Sequence, residues 1–228
     1  MYKILYSRAT CIVAQCAEMK ADIIETLSLD KDKIVYIYNP VDLEEIKSLK
    51  IEFNPFKKEN INIVAIGRLA YQKGFDNLID AFQLVSKQIA NAHLIILGDG
   101  PLKNDLTKRV IDQQLVGKVE FLNFQENPYP YLFFSDMYVL SSRWEGFPNT
   151  MLEALACETK IVSTDCKSGP KEILGENEYG FLVKENSPEL LAEAIITYLL
   201  EKSKTQKRAD FFDVRKIVKE YESLFLKI

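Results

Sequence analysis

Histidine is almost missing from this chain and cysteine is sparse. The 228 residues hold one histidine, His93, and four cysteines, Cys11, Cys16, Cys157 and Cys166. The cysteines lack the paired spacings of a metal site, and one histidine cannot complete a mixed Cys/His set, so a zinc centre is not expected. Scattered thiols without a framework suit a reducing cytoplasm. Long apolar runs are missing too: none approaches the roughly 18 residues of a membrane-spanning helix. The segment Met1 to Arg8 meets polar residues too soon to read as a signal peptide. There is no basic excess, since the net charge is -4 and the pI near 5.3, which argues against a general nucleic-acid binder. Repeats and low-complexity stretches are absent. The one charged run, residues 201–208, reads as a solvated connection between helices.

What remains is ample for a globular core, with hydrophobic residues at 47%. The length allows one large domain, or one domain with a piece of another. From residue 61 onward, short apolar runs alternate with amphipathic stretches. Strands are expected over 61–66, 93–97, 119–122, 137–141 and 160–163. Helices are expected over 75–89, 102–115 and 129–135, from Pro148, over 190–200 and over 213–226. Such alternation implies an α/β fold with a doubly wound, Rossmann-like parallel sheet. Ligands of these sheets sit outside the carboxyl ends of the strands. Gly67-Arg68, Gly98-Asp99 and Ser141 to Gly146 all fall at such ends and point to one crevice. Ahead of this pattern lie a short helix (3–8), a short strand (11–14), a helix (19–27) and an apolar stretch (33–38).

The segment Arg143-Trp-Glu-Gly-Phe-Pro-Asn-Thr-Met-Leu-Glu153 carries the most chemistry. Pro148 suits a first helical position, and good helix formers follow it. Glu145 then lies in the loop before a helix, and Glu153 about one turn inside. Residues 146–150 offer amides at the positive end of the helix dipole. Carboxylates accept from hydroxyls and helix N-termini attract phosphate, so an anionic, polyhydroxylated ligand is expected. Arg68 and Lys73 bracket the loop after the strand 61–66, and both suit phosphate oxygens. Arg68 and Glu145 are expected to be solvent-accessible. Gly98-Asp-Gly-Pro101 does not complete a dinucleotide fingerprint, because Lys103 stands where a third glycine belongs, and no Gly-x-Gly-x-x-Gly follows the first strand of the pattern. A nicotinamide-dependent oxidoreductase is therefore disfavoured. His93 reads as a packed strand residue.

Glu145 and Glu153 with Gly-Phe-Pro-Asn between them, Gly67-Arg-Leu-Ala-Tyr-Gln-Lys-Gly74, Gly98-Asp-Gly-Pro101 and Asp165-Cys-Lys-Ser-Gly-Pro-Lys-Glu172 together resemble the signature of the family 4 glycosyltransferases, which have the GT-B fold. The four motifs occur in the family's order and near its spacing. The resemblance implies that this chain is the C-terminal, donor-binding half. Residues 1–40 would be a remnant of the N-terminal acceptor domain with the interdomain linker, 41–212 the donor domain, and 213–228 a C-terminal helix that packs back across the first domain in the family. An acceptor domain would need on the order of 150 further residues ahead of this chain. By resemblance, Arg68 and Lys73 hold the donor diphosphate and Glu145 contacts the donor sugar; these three are the expected catalytic residues. Gly67, Phe124, Gly146, Phe147, Pro148, Asn149, Thr150, Leu152 and Glu153 would line the donor site, with Glu153 on the ribose. Phe124 lies in 122–125, where the family holds the base, although Asn123 stands where a glycine is common. Phe147 serves equally well as core, and Glu172 as the acidic first turn of a helix.

The implied reaction is retaining transfer of a hexosyl group from a UDP- or GDP-hexose, without a metal, to a glycan or lipid-linked acceptor. The donor phosphate would help take the proton. Relatives with the Cys-x-Ser-Gly-Pro variant often build lipid-linked or surface polysaccharides, which implies a cytoplasmic protein at the inner face of the membrane. The competing reading is a nucleotide-sugar-binding module that is inactive without a separate acceptor domain. A C-terminal helix lacking that domain would leave an apolar face open to association.

Overall fold

The computed structural model describes residues 2–201 and 207–227. Most of the charged run at 201–208 thus falls outside the described residues. The chain opens with α1 (Tyr2–Ser7), β1 (Ile12–Ala14), α2 (Ala17–Leu27), β2 (Ile34–Tyr36) and α3 (Leu43–Leu49). β1 and β2 pair in parallel as a small two-stranded sheet.

The main sheet is built from β3 (Ile61–Ile66), β4 (Ala92–Leu97), β5 (Val119–Leu122), β6 (Met137–Leu140), β7 (Ile161–Thr164) and β8 (Phe181–Val183). The intervening helices are α4 (Phe75–Gln88), α5 (Lys103–Asp112), α6 (Tyr129–Phe133), α7 (Asn149–Ala156), α8 (Pro170–Leu174) and α9 (Pro188–Leu200), and α10 (Val214–Phe225) closes the chain. All pairings are parallel and the strand order is β5-β4-β3-β6-β7-β8. The expected α/β, doubly wound architecture is therefore the observed one. Every residue of β6 and β7 is buried, as befits central strands covered on both faces. Phe82, Leu78 and Ile79 of α4 fill one face with Leu191 and Ile195 of α9. Met151, Leu152 and Leu155 of α7 fill the other with Leu132 and Tyr138.

Several boundaries differ from the sequence reading. The helix expected to run to Leu115 stops at Asp112, because Gln114 adopts a left-handed backbone with φ 59° that cannot continue it. β8 and α3 are additional. β8 is a three-residue, half-buried edge strand without an alternating pattern. α3 is seven residues long, capped by the Asp42 carboxylate on the amides of Glu44 and Glu45. On α10 only Ile217 is buried, while Val218 and Phe225, with Leu226 just beyond, are exposed.

The order of winding sets the site. The chain moves outward through β3, β4 and β5, then returns to lay β6 beside β3. The connections leave in opposite directions at the β3/β6 junction, and that divergence opens a crevice at the carboxyl edge.

Candidate donor site

The loop after β3 is drawn tightly over its neighbours. Gly98, at φ 139°, has no room for a side chain, because a Cβ there would collide with the Gly67 carbonyl. Gly74, at φ 62°, is equally closed by the Ser141 carbonyl. The loops after β3, β4 and β6 are thereby brought together with their backbones almost in contact.

Between them lies a cavity of about 520 Å³, lined by Gly67 and Arg68 after β3, Gly98 and Asp99 after β4, Phe124 to Glu126 after β5, and Tyr129, Thr150 and Glu153. The chemistry of the lining is uneven. Phe124 is 76% exposed. The Arg68 guanidinium is exposed and has no ion-pair or hydrogen-bond partner among the described residues. Glu153 projects from the first turns of α7, and burial raises its carboxyl above the ordinary value. No donor among the described residues reaches that carboxylate. Tyr129 is pushed up to about 12, chiefly by burial and then by Glu153. The Thr150 hydroxyl is paired with Tyr138 Oη at 2.7 Å, which fixes it at the cavity wall. The amides of Asn149 and Thr150 find no acceptor among the described residues, as expected for the open start of a helix.

A second cluster adjoins this cavity. Lys73 Nζ lies 2.6 Å from Glu145 Oε1, with the Glu145 side chain only 7% exposed. The Ser142 hydroxyl donates to the same oxygen at 2.5 Å. Behind them, Arg143 forks onto both oxygens of Asp76, at 2.9 and 2.7 Å, and ties the loop after β6 to the start of α4. Burial alone would raise the Asp76 carboxyl, but the Arg143 hydrogen bonds and charge outweigh it and hold it below the usual value.

Residues 47–211 match the family model described as glycosyl transferases group 1. The chain belongs to that family. It is 34% identical, over 98% of its length, to an uncharacterized glycosyltransferase of Methanocaldococcus jannaschii. It is 31% identical, over 96% of its length, to the N-acetylgalactosamine-N,N'-diacetylbacillosaminyl-diphospho-undecaprenol 4-alpha-N-acetylgalactosaminyltransferase of Campylobacter jejuni. The chain spans 65% and 61% of the lengths of these relatives. Anabaena HepE, solved in complex with UDP, superposes with a TM-score of 0.85 at 21% identity over 99% of this chain and 66% of that one. Staphylococcus aureus TarM superposes with a TM-score of 0.81 at 23% identity over 98% of this chain and 45% of that one. At these identities the two likenesses speak for the GT-B fold.

Within this member of the family, the expected site residues fall into three groups. Gly67, Arg68, Phe124, Thr150 and Glu153 meet around the cavity. Lys73 and Glu145 stand beside it as an ion pair, so Glu145 is not the accessible carboxylate that its loop position implies; Lys73 and Ser142 neutralise and enclose it. The others are not among the residues that line the cavity. Leu152 is fully buried, because its position on α7 faces the sheet and not the helix start. The Phe147 ring packs on Tyr38 with centroids 5.1 Å apart. Pro148 is not the first helical residue: its ψ of 108° makes it the cap, and α7 begins at Asn149. The Asn149 side chain accepts from Asn39 at 2.8 Å, and a Cβ on Gly146 would abut Met19 and Gln15. His93 sits at the opposite, amino end of the sheet, half-buried on β4 at the wall of a separate cavity.

Sequence reasoning missed Tyr129 and Glu126 as cavity walls, whereas Asp99, expected at the crevice from its place after a strand, does line it. Tyr129 reads only as a helical aromatic, and its facing depends on how α6 docks. Among the described residues no group of three or more His, Cys, Asp or Glu is arranged to hold a metal ion, and no helix is long and apolar enough to cross a membrane.

Proposed function

We propose that this chain supplies the donor site of a retaining hexosyltransferase that takes a nucleoside-diphosphate hexose. The observation that carries the reading is Glu153: a half-buried carboxylate with a raised pKa and no partner among the described residues, facing a cavity with an unpaired Arg68 and an exposed Phe124 at its walls. A carboxylate in that state gains most from two vicinal hydroxyls, and a ribose offers them. Phe124 offers a ring face to a base. Arg68 offers a fork to phosphate oxygens. The UDP complex of HepE supports a uridine nucleotide.

In this reading, negative charge grows on the diphosphate as the glycosidic bond breaks. Arg68, Lys73 and the open amides of α7 meet it as fixed positive charge, which costs no reorganisation during the step. Glu145, held by Lys73 and Ser142, turns its remaining acceptor capacity to sugar hydroxyls. The relatives are longer than this chain, and their additional length has room for further acceptor-binding surface. An acceptor linked to a lipid, such as the relative from Campylobacter jejuni names, would put the protein at a membrane surface.

Calorimetric titration with UDP, GDP and ADP tests this. One base should bind saturably, and Arg68→Ala should weaken it roughly tenfold to a hundredfold, because a hydrogen bond to a charged group contributes about 1.5–3 kcal/mol. Binding unchanged in Arg68→Ala would remove the phosphate assignment. The second reading, a binding module without turnover of its own, draws on the shorter span of this chain against its relatives. Hydrolysis or transfer from the bound nucleotide sugar by the isolated chain would exclude it.

A further inference from the structure

Trp144, the chain's only tryptophan, is 48% exposed and Tyr71 62% exposed. Their rings lie 6.0 Å apart at 52°, forming an open angle of aromatic surface. Side by side they make a contiguous aromatic patch, and both rings are also held in place. The Arg143 guanidinium stacks on Tyr71 at 4.0 Å from the ring centroid. Arg143 is itself fixed by both oxygens of Asp76, by Asn186 Oδ1 at 3.1 Å and by the Tyr71 carbonyl at 2.7 Å. Gln72 Nε2 donates to the Trp144 carbonyl at 2.9 Å. So much fixation of exposed rings suits a preorganised contact surface.

The strand order locates it. Along the carboxyl edge the strands run β5, β4, β3, β6, β7. Phe124 follows β5, Asp99 follows β4, Arg68 follows β3 and Glu145 follows β6. Trp144 bridges to Lys167, which follows β7. If the base lies at Phe124, the diphosphate at Arg68 and the transferred sugar at Glu145, the aromatic pair lies one step beyond the transferred sugar. The nucleotide cavity does not include it.

The geometry points to a saccharide subsite at Trp144 and Tyr71 that receives a pyranose ring of the acceptor; the assignment to the acceptor rests on the donor reading above. The C–H face of a pyranose carries partial positive charge and meets the electron-rich face of an aromatic ring. The polar edges of the same sugar find Lys167, bridged to Trp144 and paired with Asp22, and Gln72, bonded to the Trp144 carbonyl, the mixture of aromatic surface and a few placed polar groups typical of small-ligand sites.

Trp144 is its own reporter. The chain is titrated with UDP, with UDP-glucose, and with methyl glucoside or methyl N-acetylglucosaminide, with and without UDP, while tryptophan emission is followed. A methyl pyranoside should shift the emission to the blue and saturate, whereas UDP alone should leave it unchanged. Tyr71→Ala should weaken the pyranoside response roughly twofold to tenfold, the equivalent of about 0.5–1.5 kcal/mol for one aromatic stack, and Tyr71→Phe should restore it. Tyr71→Phe should melt as the parent does, and Tyr71→Ala only slightly lower, because it loses the Arg143 stack. No saturable shift, or a response untouched by Tyr71→Ala, would overturn the subsite while calorimetric UDP binding leaves the donor reading intact. A shift with UDP-glucose and none with free pyranosides would hand the rings to the donor sugar and also overturn it. Pyranoside shifts in a chain that fails to bind UDP would keep the subsite and sink the donor reading.

Discussion

Two carboxylates of one motif meet opposite fates. Glu153 is half-buried without a partner among the described residues, and partial burial raises its pKa above the unfolded value. The native chain therefore binds a proton more tightly there than the unfolded chain, and stability is lost as pH rises from the ordinary carboxyl range through the folded value. Glu153→Gln should melt above the parent at neutral pH, with the difference vanishing in acid below both values, and should bind nucleotide more weakly. Thermal melts across pH, paired with titrations, check both parts; a variant that melts lower at neutral pH would refute the account. Glu145 is the reverse case. Removing Lys73 strands a carboxylate that is nearly out of water, so Lys73→Ala should cost roughly 1–3 kcal/mol. The double variant Lys73→Ala/Glu145→Ala should recover part of that loss in denaturant unfolding, because the two residues act as a unit.

At the scale of elements, the loops after β3 and β6 are joined to α4 by one side chain. Arg143 reaches Asp76 in the first turn of α4, the Tyr71 carbonyl and Asn186 together. A lysine carries the same charge but cannot fork. Arg143→Lys should therefore lower stability by about 1–3 kcal/mol. Asp76 is held below its usual pKa, so the pair contributes fully above the unfolded carboxyl value and is lost as pH falls through the folded one. The gap between parent and Arg143→Lys should close over that acid window; a gap constant with pH would mean the arginine acts by packing alone. The sequence shows some of this and hides the rest. β3 through β7 are legible because continuous apolar runs end at glycine or at a loop, and the start of α7 because helix formers follow Pro148. The Arg143–Asp76 fork is not legible: the partners are 67 residues apart and nothing local marks either one. The same holds for Glu145, whose burial comes from Lys73 in another loop, and for β8, too short and too half-buried to carry a period.

At the scale of the molecule, the small β1–β2 sheet and α2 are fastened onto the body of the main sheet at the loops that frame the candidate site. Glu172, in the first turn of α8, accepts from the amides of Ala17 and Glu18 at 3.1 and 3.0 Å and from Tyr38 Oη at 3.1 Å. It thereby satisfies the opening amides of α2 and puts a negative charge at the positive end of that helix. In return, Glu18 accepts from the Ser168 amide at 2.9 Å, Lys167 pairs with Asp22, and the Cys16 thiol lies against the Gly146 carbonyl. Tyr38 stacks on Phe147 in the turn before α7. The acidic residue that sequence alone reads equally well as part of the turn of its own helix is thus the cap of another, some 155 residues away. Glu172→Ala removes that cap and leaves two amides and one hydroxyl without an acceptor. The expected result is faster hydrogen exchange at Ala17 and Glu18 and through the first turn of α2, with β3 to β7 protected as in the parent, because the core on both faces of the main sheet does not depend on the clamp. Glu172→Gln should restore much of the protection, since its carbonyl still accepts. If instead exchange rises evenly across both sheets, the small sheet and the main sheet open as one cooperative unit, and the N-terminal segment is part of that fold and not a piece docked upon it.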